Sequence, residues 1–206
     1  MIRRLMFGLL ALFAFAASAD DALVQQLLAR VRQSGAACFH YDETRKLELA
    51  TEAWNGEGYM LSGADGSLVK LQLKPTRLIM AITDQQMVYW DPEQRQRHSA
   101  PLSYGGPAEQ IRVFRAILQG RGEELQAAYR FAAETRGQQW LLTLAPNSDQ
   151  AGDDAPTVEI SGVGDDGARR LSIRQPDGDA TEYRMTKAAD DAAPDIRSLL
   201  REALGD

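Results

Sequence analysis

The chain has 206 residues, with 23 Lys and Arg against 29 Asp and Glu, for a net charge of −6. That balance, with no Lys/Arg run able to track a phosphate backbone, argues against nucleic acid as a partner. A single cysteine, Cys38, excludes an internal disulfide, and in Ala36-Ala37-Cys38-Phe39 it reads as a small buried hydrophobe.

Residues 1–19 read as a secretory leader. Arg3 and Arg4 form a basic start, Leu5 to Ala17 an apolar run, and Ala17-Ser18-Ala19 a small-residue cleavage site. The run is shorter than the ~20 residues a membrane span needs, so no stable insertion is expected. Residues 20–206 are then expected to form one exported domain, long enough to bury roughly 70% of its unfolded surface.

Asp20 and Asp21 suit a helix start, and Val24, Leu27, Leu28 and Val31 recur at i, i+3, i+4 and i+7 until Gly35. Short strands follow. Phe39, Tyr41 and then Leu47, Leu49 alternate around a charged break at Asp42–Lys46. Tyr59 and Leu61 mark the next strand, and Gly63-Ala64-Asp65-Gly66 a turn. Val69, Leu71 and Leu73 are stopped by Lys74-Pro75, and Leu78, Met80 and Ile82 form a fourth strand. In the fifth, either Met87 and Tyr89 or Val88 and Trp90 face inward.

The stretch from Gln110 to Pro146 predicts a short buried helix, a second short helix and two strands. Pro107 and Glu109 suit the first helix start. Ile111, Phe114, Ile117 and Leu118 share one side, and Gly120 ends it. Tyr129 and Phe131 lead into Trp140, Leu142 and Leu144, which alternate as a strand with one buried face. Val158/Ile160, Leu171/Ile173 and Tyr183/Met185 continue the meander, with Pro176-Asp177-Gly178-Asp179 as a turn. A final helix falls within Pro194–Leu204 on Ile196, Leu199, Leu200 and Ala203. The fold class is α+β, mostly β. A strongly curved antiparallel sheet, an incomplete barrel, carries helices as plug and lid over an apolar cavity.

No catalytic constellation emerges. His40 and His98 lack any second histidine or cysteine at metal-ligand spacing, and no G-x-S-x-G elbow exists. Gly162-Val163-Gly164-Asp165-Asp166-Gly167 matches G-x-G-x-x-G, but Ala168–Arg174 alternates as a strand, so the glycines predict a hairpin turn. Neither metal nor cofactor is expected, and a binding protein is favoured over an enzyme. A cavity of this kind would solvate an acyl chain at ~0.8 kcal/mol per buried CH2.

The order of these fragments resembles a known family. They are Asp21-Ala22-Leu23, Phe39-x-x-x-Glu43-x-Arg45-x-Leu47, Gly58-Tyr59-Met60 and Pro75…Asp84 before Gln86–Asp91. Next come Phe114-x-x-Ile117-Leu118-x-Gly120, Leu125, Tyr129, Phe131 and Trp140-x-Leu142-x-Leu144-x-Pro146. Val158-x-Ile160-x-Gly162 and Arg170-Leu171-x-Ile173…Asp177-Gly178-Asp179 complete the set. Across its exported part the chain resembles the periplasmic outer-membrane lipoprotein carriers (LolA-like), in their divergent LolA-related branch.

The resemblance implies a monomeric periplasmic carrier. It would take lipoprotein acyl chains, or a lipid-like cargo, from an inner-membrane ABC-type exporter to an outer-membrane acceptor. An alternative is a lipid-binding or lipoprotein-sensing module in export of an aryl-polyene or glycolipid-like product. The candidate lipid-binding residues are Leu68, Leu71, Met80, Ile82, Met87 and Tyr89 on the first strands and Trp140 and Leu142 on a later one. Ile111, Phe114 and Leu118 join them from the lid. The family's Arg-Pro turn, whose arginine holds the lid, is absent: Gly63–Leu68 occupies one register and Lys74-Pro75 the other. The lid is therefore expected to open more readily when empty. The processed protein is expected to begin at Asp20, which N-terminal sequencing of the periplasmic fraction reads directly; a retained Met1 would overturn the export reading.

Overall fold

The computed structural model describes residues 14–32, 37–102, 113, 115–117, 121–147, 153–165, 168–189 and 193–205. The strands β1 (Ala37–Lys46), β2 (Trp54–Ser62), β3 (Leu68–Lys74), β4 (Leu78–Ile82), β5 (Gln86–Asp91) and β6 (Gln96–Pro101) form one meander. A second comprises β7 (Tyr129–Arg136), β8 (Gln139–Pro146), β9 (Thr157–Val163), β10 (Arg169–Arg174) and β11 (Ala180–Lys187). Helix α1 (Ala14–Arg32) precedes the sheet, a 3-10 turn spans Gly122–Leu125, and helix α2 (Ile196–Leu204) ends the chain.

The strand order is β6-β5-β4-β3-β2-β1-β11-β10-β9-β8-β7. Every neighbouring pair is a sequential hairpin except β1 and β11, which pair antiparallel from Phe39↔Lys187 to Lys46↔Ala180. Strand β1 is thus the seam joining two meanders into one open sheet of eleven strands. The turns between strands follow local chemistry. Gly164 adopts φ +62 between β9 and β10, where Arg169 pairs with Gly162, so the glycine-rich motif is a hairpin. Gly178 sits at φ +92 in the β10–β11 turn, which the Gln175 N–H closes onto the Asp179 carbonyl at 2.8 Å.

Two expectations differ. The charged segment Asp42–Lys46 is not a break: β1 runs through it, bonded to β2 and β11 on either side. Leu47 and Leu49 instead leave the sheet, Leu49 being 98% exposed. Backbone pairing on both edges, with a buried partner for Glu43, outweighs the charge pattern. Strand β6 was not legible, because all six of its residues are exposed and it exists through backbone pairing to β5.

Helices cover the two faces separately. On the inner face, Val24, Leu27, Leu28 and Val31 of α1 pack with Tyr41, Met60, Trp140, Leu142, Leu144, Ile160 and Leu171. Val113, Ala116 and Ile117, in helical conformation, and Leu125 of the 3-10 turn join this core. Helix α1 starts at Ala14 and so continues through the expected processing site at Ala19.

On the outer face, Leu199 and Ala203 of α2 pack against Leu61, Val69, Leu71, Ile79 and Ala81. Asp195 caps α2 by accepting from the N–H groups of Arg197 and Ser198, and Gly205 at φ +87 ends it. Arg77 donates to both Glu202 oxygens at 2.5 and 2.8 Å. Arg97 lies 4.4 Å above the Trp90 ring and donates to the carbonyls of Ala203 and Glu202 at 2.7 and 3.1 Å. The Arg77 hydrogen bonds hold Glu202 below the ordinary glutamate value of 4.5. A depressed carboxyl adds stability above its unfolded value and loses it as pH falls through the lower folded one. Glu202→Gln should therefore cost up to about 1 kcal/mol near neutral pH, discounted because the pair is over a third exposed. Urea-melt midpoints of mutant and wild type should converge as pH falls well below 4.5.

Candidate functional site

Strand register assigns each side chain to a face. Phe39 lies opposite Met60, Met60 opposite Lys70, Lys70 opposite Met80, and Met80 opposite Tyr89. One row of the inner face is thereby fixed. Leu68, Ile82 and Met87 form the adjoining row, so five of the candidate residues have definite places on this face. Leu68, Met80, Ile82, Met87 and Tyr89 share the inner face of β3–β5, Tyr89 rather than Trp90 facing inward. Trp140 and Leu142 lie on that face of β8, buried under α1. Leu71 points the other way and belongs to the α2 core. Ile111, Phe114 and Leu118 fall outside the described residues.

The inner face has two apolar wings divided by a polar seam. Glu43 of β1 is 1% exposed. One of its oxygens meets Lys70 Nζ at 2.5 Å; the other meets Arg45 Nε at 2.5 Å and accepts the Tyr183 hydroxyl at 3.0 Å. Lys70 Nζ also stands 5.1 Å from the ring centroids of both Tyr41 and Tyr183. The ammonium is boxed between a carboxylate and two aromatic faces. Burial lowers the Lys70 pKa, opposed by Glu43. Burial, reinforced by the Glu43 charge, raises both tyrosines far beyond their ordinary range, so both keep their protons.

Beside the seam a small apolar pocket of about 30 Å³ is lined by Val31, Phe39, Met60, Met185 and Arg169. These positions went unassigned in the sequence, although the α1 stripe ending at Val31 and the Phe39/Tyr41 alternation carry the signal. The space suffices for about one water molecule, whereas ligand pockets run to roughly 300–1,000 Å³. In this arrangement α1 itself fills the apolar wing. The turn at Gly63–Ser67 is closed by the Gly63 N–H donating to the Ser67 carbonyl at 2.8 Å, without an arginine. Two arginines reach from the helical side instead. Arg30 of α1 meets Asp165 in the β9–β10 turn at 2.7 Å. Arg115 pairs with Asp84 and donates to the Thr83 carbonyl in the β4–β5 turn.

Burial pushes the Cys38 thiol up to about 11. Among the described residues no group of three His, Cys, Asp or Glu could hold a metal, and no helix is long and apolar enough to cross a membrane.

Glu43→Ala should leave Lys70 as an uncompensated buried charge and cost about 3–5 kcal/mol in urea denaturation. The double change Glu43→Leu with Lys70→Met should recover most of that loss. Equal destabilisation by both variants would mean that the seam is not held as a charge pair.

No protein-family profile matches the sequence, and neither does any curated protein. Solved structures do resemble it. A putative outer membrane lipoprotein-sorting protein domain from Vibrio parahaemolyticus is 11% identical, covering 92% of this chain and 100% of its own, with a TM-score of 0.50. An uncharacterized conserved protein from Thermus thermophilus is 13% identical over 86% of this chain and 92% of its own, at 0.48. A LolA superfamily protein from Nitrosomonas europaea is 10% identical over 82% and 94%, at 0.43. The open antiparallel sheet with its helices is the fold of that lipoprotein-sorting domain from Vibrio parahaemolyticus.

Proposed function

We propose that this LolA-like chain is a periplasmic carrier, without enzymatic activity. It binds the acyl chains of lipoproteins, or of a related lipid-like cargo, against the inner face of its sheet and shuttles them from inner to outer membrane. Residues 1–19 would be removed on export, and an inner-membrane ABC-type exporter and an outer-membrane acceptor would stand at the two ends of the route. The observation that supports this most is the cover over the inner face. An amphipathic helix occupies an apolar wing of an open sheet, through side chains that an acyl chain could replace one for one. Van der Waals and hydrophobic contacts to Val24, Leu27, Leu28 and Val31 would be exchanged for similar contacts to methylenes.

Loading then requires α1 and the helical residues around 113–117 to lift. Their ionic ties to the turns, Arg30–Asp165 and Arg115–Asp84, are the restraint, since each acidic partner is at least 70% exposed. The arginines are 24% and 15% exposed, but the open acidic ends leave each pair screened by solvent and worth on the order of 1 kcal/mol. They close the lid without locking it, which takes the place of the missing turn arginine.

Replacing both arginines (Arg30→Gln with Arg115→Gln) should raise the open fraction, and hence hydrophobic-dye binding to the empty protein, by about three-fold or more. Organic extracts of protein purified from the periplasm should contain an acylated species by mass spectrometry. An extract free of acyl chains, together with failure to bind a fluorescent fatty-acid analogue, would overturn the carrier reading.

A further inference from the structure

The outer face of the second meander carries a groove that the acyl-chain reading does not use. It has a volume of about 670 Å³ and is lined by Arg136, Arg169, Arg170 and Arg184, with Glu134 as its one acidic residue. In a chain of net charge −6 this is a local reversal of sign. The register explains how it forms. Leu141 lies opposite Ser161, Ser161 opposite Arg170, and Arg170 opposite Arg184, so one outer row brings two guanidinium groups face to face before it continues to Asp42 of β1.

Facing like charges in a sheet are destabilising. Here a single carboxylate serves both: Glu182 lies 3.5 Å from Arg170 Nε and 3.0 Å from Arg184 Nε. Glu182 is shared by two arginines, and Asp42 stands opposite Arg184 across the β1–β11 pair. Glu134 lies 3.8 Å from Arg136, so four arginines face three acids; the Arg170 and Arg184 side chains remain 55% and 69% exposed. The adjoining row adds Arg136 and, as an apolar floor, Val163, which is 46% exposed.

The groove also wraps around the end of the sheet. Trp140, Gly162 and Arg169, which line it too, belong to the inner face. Arg169 lies 5.3 Å over the Phe39 ring and lines the small apolar pocket with Val31, Met60 and Met185 as well. A cationic groove and the entrance to the apolar wing therefore share a residue. The Arg30–Asp165 tie, which restrains the end of α1, is anchored in the turn after β9 at this same rim.

We propose that this groove is the headgroup subsite for an anionic amphiphile: a phosphate-bearing head rests on Arg170 and Arg184, and its acyl chain passes Arg169 into the space beneath α1. Paired guanidinium forks suit phosphate oxygens, which accept two parallel N–H bonds from each. A single amphiphile fits better than an anionic bilayer, because the groove is concave and the rest of this acidic chain is repelled by such a surface. The proposal rests on the carrier reading and names its cargo class.

The test compares palmitoyl lysophosphatidic acid with monopalmitoylglycerol, which share the chain and differ by the phosphate, as displacers of a fluorescent fatty-acid analogue at low salt. Wild type should prefer the phosphate-bearing lipid about ten-fold, and the preference should shrink as salt screens the exposed arginines. Arg170→Gln with Arg184→Gln should abolish the preference while leaving monopalmitoylglycerol binding unchanged; circular dichroism verifies that this exposed pair of changes leaves the fold intact. Equal binding of the two lipids by wild type overturns the headgroup subsite and leaves the carrier reading standing. A preference that survives in the double variant places the anion elsewhere and likewise overturns it. Binding of neither lipid overturns both readings. Binding of inorganic phosphate as tightly as the amphiphile shows a bare anion site and removes the chain from the proposal. Binding only to phosphatidylglycerol vesicles, with no displacement by the monomeric lipid, makes the face a membrane-docking surface and overturns the subsite.

Discussion

Everything in this sheet depends on how Glu43 is accommodated. Strand β1 is where the two meanders meet, and Glu43 pairs in register with Tyr183 of β11 on one side and Gly56 of β2 on the other. A carboxylate at that seam would be expensive without partners. It has three, drawn from β1, β3 and β11, so a single group ties both meanders to the seam. Such an ion pair contributes little net stability compared with an apolar replacement, but removing one partner strands the other. Its consequence is register. A one-residue slip of β1 would move Glu43 to the outer face and Cys38 or His40 into the apolar wing.

The same seam divides the inner surface. On the β8–β11 side the wall is Trp140, Leu142, Leu144, Ile160 and Leu171, and α1 lies on it. On the β3–β5 side the inward positions are Leu68, Met80, Ile82, Met87 and Tyr89, of which Met80, Met87 and Tyr89 are only partly buried. The ionic box of Lys70, Glu43 and Arg45 stands between them. An acyl chain following the apolar surface would have to pass beside this box, where methylenes gain nothing from the charges. The two wings are thus separate surfaces for hydrophobic contact, even though they lie on one continuous sheet.

How much of this was legible varied with the physical signal. Period-2 alternation located most strands, because one face of each is covered and the other is wetter. The α1 stripe was legible for the same reason at period 3.6. Strand β6 carries no such contrast: no face of it is covered, and backbone pairing leaves no trace in composition. The charged run in β1 misled because its key residue is buried with partners remote in sequence, Lys70 and Tyr183. Leu71 misled in a different way. Its strand is covered on both faces, by α2 outside and in part by inner-face neighbours, so alternation did not reveal which parity looks inward. Only the register, running from Phe39 through Met60 and Lys70, settles that choice.

Helix placement follows from the same two-faced sheet. Helix α2 is fixed to the outer face by directional contacts: the Arg77–Glu202 fork, the Arg97 bonds to its last carbonyls and the Asp195 cap. Helix α1 has a wide apolar stripe, and among its described contacts a single ionic tie, Arg30–Asp165, at its C-terminal end. Hydrophobic contact is non-directional and can be exchanged for contact with any apolar surface of similar area, whereas a bidentate ion pair and backbone hydrogen bonds are lost outright when the partner moves. The outer helix is therefore held by directional contacts and the inner one by exchangeable ones, which is what the proposed carrier role requires. On the carrier reading, displacement should begin at the β9–β10 rim, where among the described contacts the Arg30–Asp165 pair is the ionic tie to break before Val31 can leave Phe39 and Met60.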